Sequence, residues 1–150
     1  MYKTLRLIPA FVLLTAGATV ATAAAASLHV IEHALSDSVT QTGGKADARG
    51  NLLTFSNPVF AADNRTRLGS DQGYCIRVVV GRSWECFWTL MLKDGQITVE
   101  GPFYDSADSV LTITGGTGRY MGAGGSMELH ARDAQGSAYD FIYDLRVSRS

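Results

Sequence analysis

Downstream of residue 26 the sequence is a succession of short β-type runs, divided by Gly, Asn, Asp and Ser, in which no stretch keeps a helical period. The runs cover residues 28–35, 50–60, 74–80, 84–92, 96–100, 109–114, 126–131 and 137–147. Eight sequential strands with mostly short connections predict an all-β domain, an antiparallel up-and-down β-barrel of lipocalin-like architecture that closes both sheet edges. A barrel of eight strands has an interior just wide enough for side chains or for one small ligand.

The first 26 residues read differently. Lys3 and Arg6 precede an uncharged run from Leu7 to Ala26, apolar at Phe11-Val12-Leu13-Leu14 and then thinning into Ala and Thr. Ala21-Thr22-Ala23 and Ala24-Ala25-Ala26 both fit a small-x-small cleavage site, so residues 1–26 are expected to be a secretory signal and 27–150 the barrel domain. A retained anchor is the alternative, since twenty uncharged residues just span a bilayer. The expected location is extracellular, with no membrane partner after cleavage. The chain holds 13 Lys+Arg and 14 Asp+Glu; without Lys3 and Arg6 there are 11 against 14, a net charge of −3 with His neutral. That balance argues against a nucleic-acid partner, which calls for a basic patch.

Cys75 and Cys86 are the only cysteines, and they flank the turn signal Gly81-Arg82-Ser83 of a β-hairpin. A turn centred on Val80-Gly81 places them opposite each other. One centred on Arg82 leaves them three residues out of step, roughly 10 Å along the strand. Export favours a disulfide; the alternative is a free, reactive thiol at Cys75. The spacing matches no zinc pattern, and no metal or other cofactor is expected.

Alternation sorts the remaining candidates. Tyr139, Phe141, Tyr143 and Leu145 share one face of the last run, and Trp84, Cys86, Trp88 and Leu90 share one face of the fourth. In the first run Leu28, Val30 and Ala34 make an apolar face that Glu32 interrupts. Turned inward, that carboxyl is costly to ionise; with the strand inverted or at an edge it lies in water. Both orientations are compatible with the pattern. The Gly-rich stretch 114–122 fails as a phosphate loop, because in a pattern that starts at Gly116 the sixth place is Met121, not Gly, and no Gly-Lys-Ser/Thr follows. It reads as a pair of tight turns. His29 and His33, four residues apart on a strand, lie about 13 Å apart, too far for one metal; with His130 they read as surface residues. No Gly-x-Ser-x-Gly elbow is present. Asn64-Arg65-Thr66 is a formal glycosylation sequon.

The segment from Asp94 to Phe103, followed by Asp108-Ser109-Val110-Leu111-Thr112-Ile113-Thr114-Gly115-Gly116-Thr117-Gly118, closely resembles allene oxide cyclase. Gly50-Asn51-Leu52-Leu53-Thr54-Phe55-Ser56-Asn57 and Gly73-Tyr74-Cys75 resemble that family's second and third strands. The Thr-Gly-Gly-x-Gly run is shared with the wider dirigent superfamily. The resemblance spans about Val30 to Leu145 and implies an eight-stranded barrel with a ligand-sized cavity, often trimeric. It also implies closure of a fatty-acid epoxide to a cyclopentenone, with a buried carboxylate stabilising positive charge at the position of Glu32. It implies cavity positions at Phe55 and Asn57, and a cysteine beside the ligand at Cys75. The sequence departs from the family at Ala34, where a strand Asn is expected, at Phe103, where a Tyr loses its hydroxyl, and at Cys86, where a small apolar residue is expected.

The resulting expectation is an isomerase-like or dirigent-like barrel that binds a small hydrophobic or phenolic molecule and steers its cyclisation or coupling. Glu32 is its acid, and Phe55, Asn57, Cys75, Trp88, Phe103 and Tyr143 contact the ligand. A lipocalin-like carrier without chemistry, and a scaffold whose interior is filled by Trp and Tyr, are the alternatives.

Overall fold

The computed structural model describes residues 24–147. They form nine strands: β1 (Ala24–His33), β2 (Ser38–Thr40), β3 (Leu52–Ala61), β4 (Arg67–Val79), β5 (Ser83–Leu92), β6 (Gly95–Tyr104), β7 (Ser109–Gly116), β8 (Ala123–Ala131) and β9 (Ala138–Val147). The expected export signal lies outside the described residues except for Ala24–Ala26, which open β1 and pair with Val147, Arg146 and Leu145.

Hydrogen bonding runs β1-β9-β8-β7-β6-β5-β4-β3, and β1 pairs with β3 as well, so eight antiparallel strands close into a barrel. The ninth strand, β2, lies on β3 beyond the end of β1. Its three residues are all exposed and too few to display an alternation, which is why the turn pattern did not reveal it.

Strand β4 begins at Arg67, seven residues ahead of the apolar run that marked it in the sequence. Gly69 and Gly73 hid the earlier half by interrupting the alternation. A Cβ on Gly73 would sit 2.3 Å from both the Phe87 carbonyl oxygen and the Trp88 Cβ. Only glycine lets β4 pass so close to β5. The hairpin turns through residues 80–82, with Gly81 at φ 66°, and an irregularity between Arg77 and Val79 sets Cys75 opposite Cys86. The two sulfurs are bonded, so the alternative of a free Cys75 thiol is corrected: no cysteine is free among the described residues. The Gly-rich stretch is turn structure. Gly118, at φ 58°, opens a 3-10 turn (Gly118–Tyr120) whose Arg119 N–H donates to the Asp94 carbonyl at 2.9 Å, fastening the β7–β8 connection onto the β5–β6 turn.

The inward faces make one core. Val30, Val59, Leu90, Ile97, Val99, Leu111, Met127, Phe141, Tyr143 and Leu145 are fully or almost fully buried in it. An aromatic ladder crosses the barrel. Phe55 meets Trp88 with centroids 6.0 Å apart, Trp88 meets Phe141 at 5.4 Å, Phe141 meets Tyr139 at 6.5 Å, and Tyr139 meets Phe103 at 5.9 Å. The histidines stay outside this core. His29 pairs with Asp140 at 2.7 Å, His33 bonds Asn64 at 2.7 Å, and His130 pairs with Asp108 at 2.7 Å.

The Cys75–Cys86 bond closes a short loop inside this core, which constrains the unfolded chain. Reduction, or the double substitution Cys75→Ala/Cys86→Ala, is expected to lower unfolding free energy by about 2–3 kcal/mol. Urea titration with and without reductant measures this, and superimposable curves would contradict it.

Candidate functional site

Strand β3 shares one edge between two partners. Val59–Ala61 pair with β1 and Leu52–Thr54 with β2, so residues 55–58 have no strand partner on that side. The chain crosses this seam through residues 34–37, and side chains there replace the missing ladder. The Ser36 hydroxyl donates to the Ser56 carbonyl at 2.8 Å and accepts from the Ser56 N–H at 2.7 Å. Asn57, turned inward and buried, accepts from the N–H groups of Leu35 and Ser36 at 3.0 and 2.9 Å. Its amide nitrogen donates to Glu32 Oε1 and to Asp37 Oδ1, both at 2.8 Å. One side chain thus holds the seam closed and fixes two carboxylates, with its full donor capacity used.

Glu32 faces inward, 5% exposed, with Val59 and Tyr139 as its cross-strand neighbours. Asp71 lies opposite Asn57 on β4, fully buried and within hydrogen-bond reach of Glu32. Neither Asp71 oxygen makes a well-formed hydrogen bond, and the Asn57 backbone N–H opposes the rise of its carboxyl only weakly. No Arg, Lys or His pairs with either acid among the described residues. Burial pushes both carboxyls up from their ordinary values. For Glu32 the charge of Asp37 adds to the rise and the Asn57 bond opposes it; for Asp71 the main addition is the charge of Glu32. Burial, and the negative charge of Glu32 after it, push the Tyr139 hydroxyl up to about 12.

Glu32 reaches an inner space of about 40 Å³, lined also by Asp37, Leu53, Phe55, the Cys75–Cys86 disulfide, Trp88, Phe103, Leu129, Tyr139 and Phe141. That volume suits a few waters and falls well short of ordinary ligand pockets, which run to several hundred Å³. The ligand-sized interior expected from the sequence is largely taken up by the aromatic ladder. A wider vestibule of about 420 Å³ adjoins it at the barrel mouth, between loops 105–108 and 132–137. Phe103, Leu129 and Tyr139 line both spaces and stand between them. Arg77 braces the mouth: it lies 4.1 Å over the Trp84 ring and pairs with Asp47 at 2.8 Å and Asp105 at 2.7 Å.

Of the residues singled out in the sequence, Glu32, Phe55, Cys75, Trp88 and Phe103 line the inner space. Asn57 and Tyr143 do not. Asn57 is spent on the seam, and Tyr143 is wholly buried in the core beyond the cavity wall. Ala34 ends the run after β1 with its N–H on the Ser137 carbonyl at 3.0 Å, bringing no polar group to the cavity. Sequence reasoning missed Asp37 and Asp71. Counting back in twos from Cys75 finds Asp71 on the inward face; nothing in the local pattern marks Asp37, which lies in the seam.

Residues 29–133 match the family model for allene oxide cyclase. Among solved structures the chain is similar to pyocyanin demethylase, at 20% identity over 80% of this chain and 99% of that one, with a TM-score of 0.68. It is similar to a pterocarpan synthase dirigent protein at 12% identity over 93% and 98%, TM-score 0.73. It is also similar to a Diels-Alderase from Streptomyces koyangensis at 15% identity over 83% and 69%, TM-score 0.61. At such identities the likeness establishes a shared barrel.

Removing the Asn57 amide strands two backbone N–H groups and two carboxylates. Asn57→Ala is therefore expected to cost at least about 2 kcal/mol, read by chemical denaturation; a loss within error of zero would contradict the seam. The buried acids also set a pH trend. Their raised folded-state values mean that the native protein binds more protons than the unfolded chain. Their contribution is fully present below the ordinary carboxylate range and is lost as pH rises through the pair's raised titration. Thermal melts should show stability falling across that window, and a shallower fall in Glu32→Gln.

Proposed function

The chain belongs to the allene oxide cyclase family, and from that premise we propose that its barrel binds a compact, apolar or aromatic, oxygen-bearing molecule and steers its cyclisation or coupling. The body of the ligand rests in the vestibule, and its reacting end passes Phe103 and Tyr139 to meet Glu32. The observation that carries this reading is Glu32 itself: an acid held at an apolar, aromatic-walled space by a dedicated hydrogen bond, where burial favours its protonated form. Such a group protonates a ligand oxygen or, once ionised, stabilises positive charge nearby. The walls restrict the ligand's conformers and exclude water. The names borne by similar barrels, a demethylase, a dirigent protein and a Diels-Alderase, are consistent with a fold that shapes reactions of ring-containing molecules.

The protein acts outside the cytoplasm in this reading. The charged start and apolar run of residues 1–26 support export, and a disulfide in the core fits an oxidising compartment. The outer face of β4 leaves Tyr74, Ile76 and Val78 exposed, which supports self-association, with a homotrimer as the proposed form.

A carrier without chemistry is the second reading. The observation favouring it is that the roomier space is the vestibule, where a ligand rests without touching Glu32. Native mass spectrometry after incubation with lipid and phenolic extracts separates the two. The first reading expects an isomerised or coupled product, the second a ligand recovered unchanged. With any substrate so found, Glu32→Gln should lower turnover by about 100-fold or more and leave ligand affinity nearly unchanged. Unaltered turnover in that variant removes Glu32 from the reaction.

A further inference from the structure

The buried acid pair has a second member that the ligand does not reach. Asp71 does not line the inner space, is wholly buried, and stands across from Asn57, close enough to Glu32 for the two carboxyls to interact. Its two oxygens make no well-formed hydrogen bond among the described residues, and the Asn57 backbone N–H offers only a weak one. Two ionised carboxylates repel each other strongly in a buried site with no cation beside them. We infer that Asp71 is a positioning residue that holds a shared proton against Glu32, so that the cavity-facing acid has a proton store beside it.

The surroundings offer Asp71 no cation, only neutral donors in the Asn57 backbone N–H and the Tyr143 hydroxyl. From β3, Asn57 gives its side-chain donors to Glu32 and Asp37. From the seam, Asp37 adds negative charge to both acids. From β9 come Tyr139 and Tyr143, whose hydroxyls burial keeps protonated. From β5 comes the Trp88 indole N–H, which lies by the Tyr143 hydroxyl. Among the described residues none of these faces supplies a positive charge.

The arrangement defines a two-step proton path. The path starts with two protons on the pair, the shared one on Asp71 and a second that Glu32 takes up from water at the mouth. When a ligand oxygen takes the proton of Glu32, the O–H bond on Glu32 breaks and one forms on the ligand. The Asp71 proton then moves to Glu32, leaving the negative charge on Asp71, away from the ligand. Release of the proton by the product, or its uptake from water at the mouth, restores the pair. This role rests on the reading of Glu32 as an acid toward the ligand, whereas the shared proton itself needs no ligand.

Infrared spectroscopy of the folded protein tests the shared proton without any substrate. The wild type is expected to show the carbonyl band of a protonated carboxylic acid at neutral pH. Asp71→Asn, whose amide still donates to Glu32, should weaken it. Glu32→Gln should shift the deprotonation of the remaining acid downward by about one pH unit or more. A folded wild type without the band overturns the inference, as does a band that both substitutions leave unchanged. Should Asp71→Asn fail to fold, Glu32→Gln decides alone: a shifted titration supports the pair, an unshifted one overturns it. A failure to find any ligand leaves these results untouched, so the two readings fail separately.

Discussion

Everything at the site depends on the seam in the barrel wall. A closed sheet needs each strand to have partners on both sides, but β3 changes partner from β1 to β2 along one edge. In the gap its backbone would face unpaired groups, which are costly when buried. Ser36 and Asn57 remove that cost by imitating a strand. The same Asn57 amide then fixes Glu32 and Asp37. Closing the wall and aiming the acids are one hydrogen-bond network, so the position of the site follows from the topology. This explains why Asn57, read from the sequence as a cavity residue, is a structural keystone beside the cavity.

The interior shows two demands in competition. An eight-stranded barrel of this size has few ways to build a core except by filling its own lumen. Here Trp88, Phe141 and Tyr143 fill the middle, and the disulfide bridges β4 and β5 beside them. What remains is a small space toward one mouth, next to the acids. The departures from the family pattern act in the same direction. Phe103 presents a ring without a hydroxyl, and Cys86 is tied to Cys75 in the cavity wall. In the proposed function a ligand therefore meets a mostly apolar site with its polar chemistry concentrated at Glu32 and Asp37.

The barrel was legible because turn chemistry and period-2 alternation recur along the whole chain. The inward sets on β5 and β9 follow from alternation alone. The missing elements have physical causes. β2 has three exposed residues and leaves no hydrophobic trace. The first half of β4 is masked by Gly69 and Gly73, which are glycines because β5 passes too close for a side chain. That masking also hid Asp71, since the strand seemed to begin after it. The orientation of Glu32 was open because an acid on an apolar face reads equally as an inverted strand; Val30 on the same face packs into the barrel core, whereas the equally buried Ile31 on the other face does not, and this fixes Glu32 inward. The disulfide turned on the register of the hairpin, which the irregularity between Arg77 and Val79 sets by bringing Cys75 opposite Cys86.

The acid pair is the one feature that stability alone does not account for. Replacing Glu32 and Asp71 by apolar residues of similar size would remove two desolvated carboxyls and the repulsion between them, changes that are often neutral or stabilising in a core. Asn57 could still bond the seam backbone and Asp37 without Glu32. A barrel selected only to fold has no use for a second acid on β4 with both oxygens unpaired. Features that break local rules without a structural return concentrate where chemistry happens. Placed within reach of a cavity-facing carboxyl and shielded from water, Asp71 has the one property a scaffold does not need and a proton-transferring site does: a proton kept close to the reaction and out of reach of solvent.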